Sequence, residues 1–313
     1  MFVRLAAAVV TGGAAALAIY CYFRRNRRQA VPPLLGRKHT LLPALPVLGL
    51  GTGGVPPSKV SEPTVEAVVA ALKSGVTLID VAENYGEASL GEGLRRAGAH
   101  AAKAFLLCKC DLAPTAVELP ELRVRRQVMR TLRHVGRSRL DAVIIHWPVC
   151  LGKVADDAEH AAARRGAWRG LEALVDKGVI GVIGVSNWTV ELLDELLTYA
   201  RIRPAINEIE FSPICCQTRL VAACYERNIV AVGYSPYGAC WMALYMSACH
   251  KVPWGVTNLL GDETVKTIAA EVGATPAQVR LASLPQRSTC TLKPCHLVTL
   301  SPCHLVMDMT RWT

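Results

Sequence analysis

Six near-continuous apolar runs, separated by amphipathic stretches, constrain this chain more than any other feature. They are VTLIDVA (76–82), AFLLCKC (104–110), LDAVIIHW (140–147), VIGVIGVSN (179–187), PAINEIEFS (204–212) and NIVAVGYSP (228–236). Helical patterns fall around 90–97, 122–135, 162–177, 190–199, 219–227 and 263–272. Apolar strands alternating with helices imply a parallel sheet buried on both faces. A further strand is expected near 46–52. SEPTVEAVVAALKSG after it reads as a helix, with Ser61 as N-cap, Pro63 in the first turn and Gly75 at its end. The spacing of these units predicts a (β/α)8 barrel, and no Gly-rich loop of the Rossmann type follows the first strand.

The pattern breaks at the eighth strand. TPAQVRLA (275–282) begins a helix, but SLPQRSTCTLKPCHLVTLSPCHLVMDMTRWT follows, with a repeated PCHLV and no barrel-strand alternation. The barrel over 39–283 is therefore expected to be incomplete, its eighth strand and C-terminal loop missing or replaced. Residues 284–313 are expected to form an irregular tail. Cys295, His296, Cys303 and His304 lie in that tail without the flanking fold a zinc site needs, so no metal is expected.

The formal net charge of +10 raises the question of nucleic acid. Residues 1–38 hold seven basic and no acidic side chains, so the basicity belongs to the leader and no nucleic-acid partner is expected. Residues 5–23 carry no charge. At ~1.5 Å per residue such a run spans close to the ~30 Å hydrocarbon core of a bilayer. Arg24, Arg25, Arg27 and Arg28 follow it, against Arg4 alone before it. The expectation is a hydrophobic anchor with a basic flank over 1–30, a linker over 31–38, and a membrane-anchored barrel facing the cytosol. A mitochondrial transit peptide is the alternative, because arginine without acid is also its composition. Twelve scattered cysteines without a CxxC pair read as reduced, mostly buried thiols.

Ionisable groups at the carboxyl ends of barrel strands point to chemistry, since the strand–helix loops there build the pocket. Asp80, Lys109 and His146 end three successive strands, and Tyr85 lies just beyond Asp80. A phenol is a poor acid at neutral pH. An adjacent ammonium is expected to lower its pKa, and a carboxylate to keep that ammonium charged. A histidine beside them can hold a carbonyl oxygen. Taken singly, Asp80 could cap a turn, Lys109 end a solvated strand and His146 sit satisfied in the core. Together they suit protonation of an oxygen while a hydride reaches its carbon.

These residues lie in motifs that resemble the aldo-keto reductases: GLGTG (49–53), DVAENYG (80–86), LLCKC (106–110), IIHWP (144–148), GVSNW (184–188), INEIEFSP (206–213) and VGYSP (232–236), in family order. The resemblance implies NADPH-dependent reduction of a small aldehyde or ketone by a monomeric barrel. Tyr85 would be the general acid, Lys109 and Asp80 its tuning pair, and His146 the residue that orients the carbonyl. It also implies that Ser186 and Asn187 bind the nicotinamide carboxamide, that Tyr234 stacks on the ring and that Ser235 lies near the pyrophosphate. Asp80 and Glu208 complete this cofactor set, and Trp147 and Trp188 are expected to line the substrate pocket. Three departures stand out. Glu208 replaces the family's usual glutamine, Gly53 stands where many members have a pocket tryptophan, and no basic 2′-phosphate-binding segment follows Ala282. The alternative expectation is a non-catalytic barrel that binds nucleotide or a partner, inactive because of its altered C-terminus.

Overall fold

The structure, a computed structural model, describes residues 45–46, 48–53, 60–113, 118–150, 157–212, 215–237, 260–283 and 297–300. The expected anchor and linker lie outside the described residues. Among the described residues no helix is long and apolar enough to cross a membrane.

Strands and helices alternate along the chain. β1 (Leu48–Gly51) precedes α1 (Glu62–Lys73), β2 (Leu78–Ala82) precedes α2 (Glu87–Ala97), and a 3-10 turn, Gly98–Lys103, leads into β3 (Phe105–Leu112). Then come α3 (Pro120–Val135), β4 (Leu140–Cys150), α4 (Asp157–Asp176), β5 (Ile180–Ser186), α5 (Val190–Tyr199), β6 (Ile206–Glu210), α6 (Thr218–Glu226) and β7 (Val230–Tyr234). Two helices, α7 (Glu263–Val272) and α8 (Pro276–Ser283), precede β8 (Leu297–Leu300). All eight strands pair in parallel and in sequential order, and β8 closes the barrel against β1.

The eighth position is thus filled by a replacement. Leu297–Leu300 comes from the segment expected to be irregular, and for these four residues the structure departs from that reading. The physical reason is that an unclosed barrel leaves the edges of β1 and β7 unpaired, and LVTL is a short apolar, β-branched stretch able to pair with both. The seam is slight: β8 meets β7 only at Val232↔Leu297 and Gly233↔Val298.

The period of two along each strand sorts side chains between two cores. Leu78, Leu107, Ala142, Ile144, Ile206 and Val232 pack together inside the barrel. Their chain neighbours Ile79, Leu106, Cys108, Val143 and Ile145 join the larger cluster between sheet and helices. Trp168 of α4 anchors that outer layer, fully buried, with its indole N–H donating to the Ile202 carbonyl at 3.2 Å. Cys108, Cys110, Cys150 and Cys224 are buried free thiols, in line with the reduced state expected for them.

Helix α2 lies close against α3 because Gly91 has no side chain: a Cβ there would collide with the His134 carbonyl oxygen. Overpacking of this kind costs about 1–3 kcal/mol when backbone must move. Gly91→Ala is therefore expected to lower the thermal midpoint by several degrees, read by circular dichroism, whereas Gly75→Ala meets no neighbouring atom and tests backbone strain alone.

Candidate active site

Adding two residues to each inward-facing position reaches the mouth of the barrel. Leu78 leads to Asp80, Leu107 to Lys109 and then Asp111, Ile144 to His146, Ile206 to Glu208, and Val232 to Tyr234. The same alternation that builds the interior core therefore delivers a ring of polar groups above it.

Lys109 is the centre of that ring and is 4 % exposed. Its Nζ is in direct contact with Asp80 Oδ1, donates to the Tyr85 hydroxyl at 3.1 Å and lies 3.2 Å from Glu208 Oε1. Burial alone would drive its proton off, but Asp80, Glu208 and Tyr85 outweigh that and hold the ammonium well above the usual lysine range. Asp80 is pushed upward by burial and drawn back by Lys109. Glu208, 1 % exposed, is pushed up to about 8, by burial first and then by Asp80, with Lys109 opposing. Its two carboxyl oxygens make no hydrogen bond of good geometry among the described residues; the contact with Lys109 is one of charge and distance.

One expectation is corrected here. The phenol of Tyr85 is raised, not lowered: burial dominates, Asp80 and Glu208 add to it, and Lys109 only partly offsets them. In this ligand-free arrangement Tyr85 holds its proton firmly, and only a strongly basic oxygen can take it.

Tyr85 is placed by its loop. Gly86 adopts φ 76°, and a Cβ at this position would strike the Thr52 side chain. Thr52, fully buried, donates from both backbone N–H (2.9 Å) and hydroxyl (3.0 Å) to the Asp80 carbonyl, which fixes β1 against this turn. From α3, Arg123 (3.0 Å), Arg130 (3.3 Å) and Gln127 converge on the Glu83 carboxylate, while Arg130 (3.0 Å), His134 (3.0 Å) and Thr131 (2.5 Å) hold the buried Glu87. Tyr85 thus sits between two clamped carboxylates. A Cβ on Gly53 would lie 3.8 Å from the Tyr85 ring, in ordinary van der Waals contact, so this glycine stands directly beside the phenol.

His146 stands edge-on to Tyr85, ring centroids 6.0 Å apart, and its Nδ1 is 2.9 Å from Asp111 Oδ1. Sequence reasoning missed Asp111. The signal was there, since Asp111 follows Lys109 by two and so shares its strand face. Trp147 packs beside His146 at 5.9 Å and is partly exposed, where a pocket wall can be. Trp188 is 1 % exposed and joins the outer core cluster of the described residues. Its backbone is held by Asn207, whose amide bridges the Trp188 N–H (3.4 Å) and carbonyl (3.0 Å).

The expected cofactor residues cluster on β5, β6 and β7. Asn187, at φ 65°, donates to the His146 carbonyl (3.0 Å) and to Ser186 Oγ (3.1 Å), and accepts from the Tyr234 hydroxyl (2.8 Å). Ser186 is fully buried and donates to the Glu208 carbonyl at 2.9 Å, so it braces Asn187 from beneath. Ser235, at φ 51°, follows Tyr234 at the strand end, half-buried. A half-buried aromatic face beside an amide and a turn in left-handed backbone fits a flat heteroaromatic ring bearing an amide. Glu208 fits less simply, because an ionised carboxylate would offer such an amide an acceptor only.

With this geometry in hand, comparisons with known proteins are direct. The family model described as "Aldo/keto reductase family" matches residues 47–289. Aldose reductase B of Dictyostelium discoideum is 33% identical over 267 residues, covering 79% of each chain. An aldo/keto reductase of Synechocystis is 34% identical over 265 residues, 79% of this chain and 76% of the relative. Among solved structures, the Bombyx mori aldo-keto reductase in complex with NADP matches with a TM-score of 0.65 at 25% identity, covering 82% of this chain and 79% of that one. The chain belongs to the aldo/keto reductase family of oxidoreductases.

Proposed function

We propose that the barrel reduces a small aldehyde or ketone to the alcohol with NADPH, Tyr85 acting as the general acid. The observation that carries this reading is the Lys109 ammonium, in direct contact with Asp80 and 3.1 Å from the Tyr85 hydroxyl at a partly exposed mouth. Bound NADPH would supply hydride to the carbonyl carbon. Tyr85 keeps its proton until that carbon's oxygen becomes alkoxide-like, then gives it up. Lys109 stabilises the phenolate left behind, and Asp80 keeps Lys109 charged and in place.

His146 orients the carbonyl oxygen. Because Asp111 accepts from Nδ1, the neutral ring has a bare Nε2, so a donor at Nε2 requires the doubly protonated ring. Asn187 and Tyr234 would hold the nicotinamide, with Ser186 bracing Asn187, Glu208 beneath and Ser235 towards the pyrophosphate. Trp147 would form one wall of the substrate pocket. Anchorage through residues 1–30, with the barrel facing the cytosol, belongs to the same reading and rests on the apolar run and its basic flank.

Tyr85→Phe is expected to lower kcat about 100-fold or more, with NADPH binding retained in a fluorescence titration; parental turnover in this variant would remove Tyr85 as the acid. Binding without any turnover in the parent would favour the non-catalytic barrel. Asp111→Asn removes a charge-assisted hydrogen bond worth roughly 1.5–3 kcal/mol. It is expected to cut kcat/KM about tenfold or more. Finally, the full chain should stay with membranes through an alkaline carbonate wash and leave them when residues 1–30 are deleted. A shortened mature chain on a gel would point to transit-peptide cleavage instead.

A further inference from the structure

We infer that Glu208 is a second proton-holding group on Lys109, a positioning residue that refills the Lys109–Tyr85 pair with a proton after Tyr85 has discharged. The inference rests on the reading of Tyr85 as the acid and deepens it.

One ammonium, Lys109, faces two buried carboxyl groups, Asp80 in direct contact and Glu208 at 3.2 Å. One positive charge neutralises one carboxylate, and a second ionised carboxylate there would be buried without a counter-charge. Among the described residues no other cation is paired with Glu208. His146 is matched with Asp111 at 2.9 Å. Tyr85 and Tyr234 are phenols that burial holds protonated, and Glu210 on the same strand is a further acid raised by burial. Glu208 is the group left holding the proton, because its Oε1 stands 3.2 Å from the ammonium, whereas Asp80 touches it. Its elevation to about 8 agrees with this inventory.

Geometry then gives the proton a path: Glu208 Oε1, Lys109 Nζ, Tyr85 hydroxyl, in steps of 3.2 and 3.1 Å. In the reductive direction the Tyr85 O–H bond breaks and the product O–H bond forms, while the carbonyl carbon receives hydride from the reduced nicotinamide. An N–H bond of Lys109 breaks and re-forms the phenol. The carboxyl O–H of Glu208 breaks and restores the ammonium, leaving Glu208 ionised. One proton from water reloads it when the product leaves, which closes the balance. A glutamine at this position has no proton to give.

The test uses the full chain with 13C-labelled glutamate carboxyls. In the ligand-free parent, one carboxyl signal, absent from Glu208→Gln and assigned independently through Glu208→Asp, should titrate near pH 8. A signal in the ordinary glutamate range, about 4–5, overturns the inference. The pH profile of kcat should fall on the alkaline side in the parent, shift that fall upward by at least one pH unit in Glu208→Gln, and recover its original position in Glu208→Asp. Superimposable parent and glutamine profiles overturn the relay. Should Tyr85→Phe turn over at the parental rate, the acid assignment fails and the relay with it, while the carboxyl titration still decides where Glu208 holds its proton.

A linked readout comes from stability. Glu208 is raised in the folded state, so its contribution is fully present below the unfolded carboxyl range and is lost as pH rises towards about 8. The melting-temperature gap between Glu208→Gln and the parent should widen between about pH 4 and pH 8 and be flat above. A pH-independent gap counts against the protonated acid.

Discussion

A buried ammonium organises the mouth of this barrel. Lys109 sits where burial would strip its charge, and only the acids and phenol around it keep it an ammonium. That dependence runs both ways. Without Lys109, Asp80 and Glu208 would be two carboxyl groups in a dry cavity, and Tyr85 would lose the group that can steady its conjugate base. The site is a single electrostatic unit, so any one member's properties belong to the set.

The scaffold's part is to hold that unit without strain in its own elements. Lys109 and Asp80 come from strands fixed in register, with Asp80↔Leu107 and Lys109↔Ile144 paired across neighbours. Tyr85 comes from a loop, which is less constrained, and there the extra fastening appears: Thr52 beneath, and the α3 arginines on Glu83 and Glu87 at either side. Rigid strands supply the charges and a clamped loop supplies the phenol.

Much of this was legible in the sequence. Seven strands and the strand-end placement of Asp80, Lys109 and His146 follow from apolar periodicity, whereas Glu208 and Tyr234 entered only through the family resemblance. What escaped depends on long-range terms. Trp188 was expected at the pocket through the family resemblance, and its place in the outer core depends on contacts that spacing does not contain. The sign of the Tyr85 shift needed the balance between burial and one nearby charge, which spacing does not contain. Asp111 was overlooked although strand periodicity assigned it a face; its partner, His146, is 35 residues away. The eighth strand was illegible for another reason. Leu297–Leu300 pairs because two edges need closing, and that demand is written in β1 and β7, not in the tail.

The hydrogen bond from Tyr234 to Asn187 has a consequence for anything that docks there. At 2.8 Å it takes one of the two lone pairs on the amide oxygen, and both of Asn187's N–H donors are taken by His146 and Ser186. Docking on this amide is an exchange of partners, and an exchange yields much less than a new bond formed in an empty cavity. A ligand docking here would then draw most of its affinity from surface further along its length, with this end serving alignment and the distant end grip.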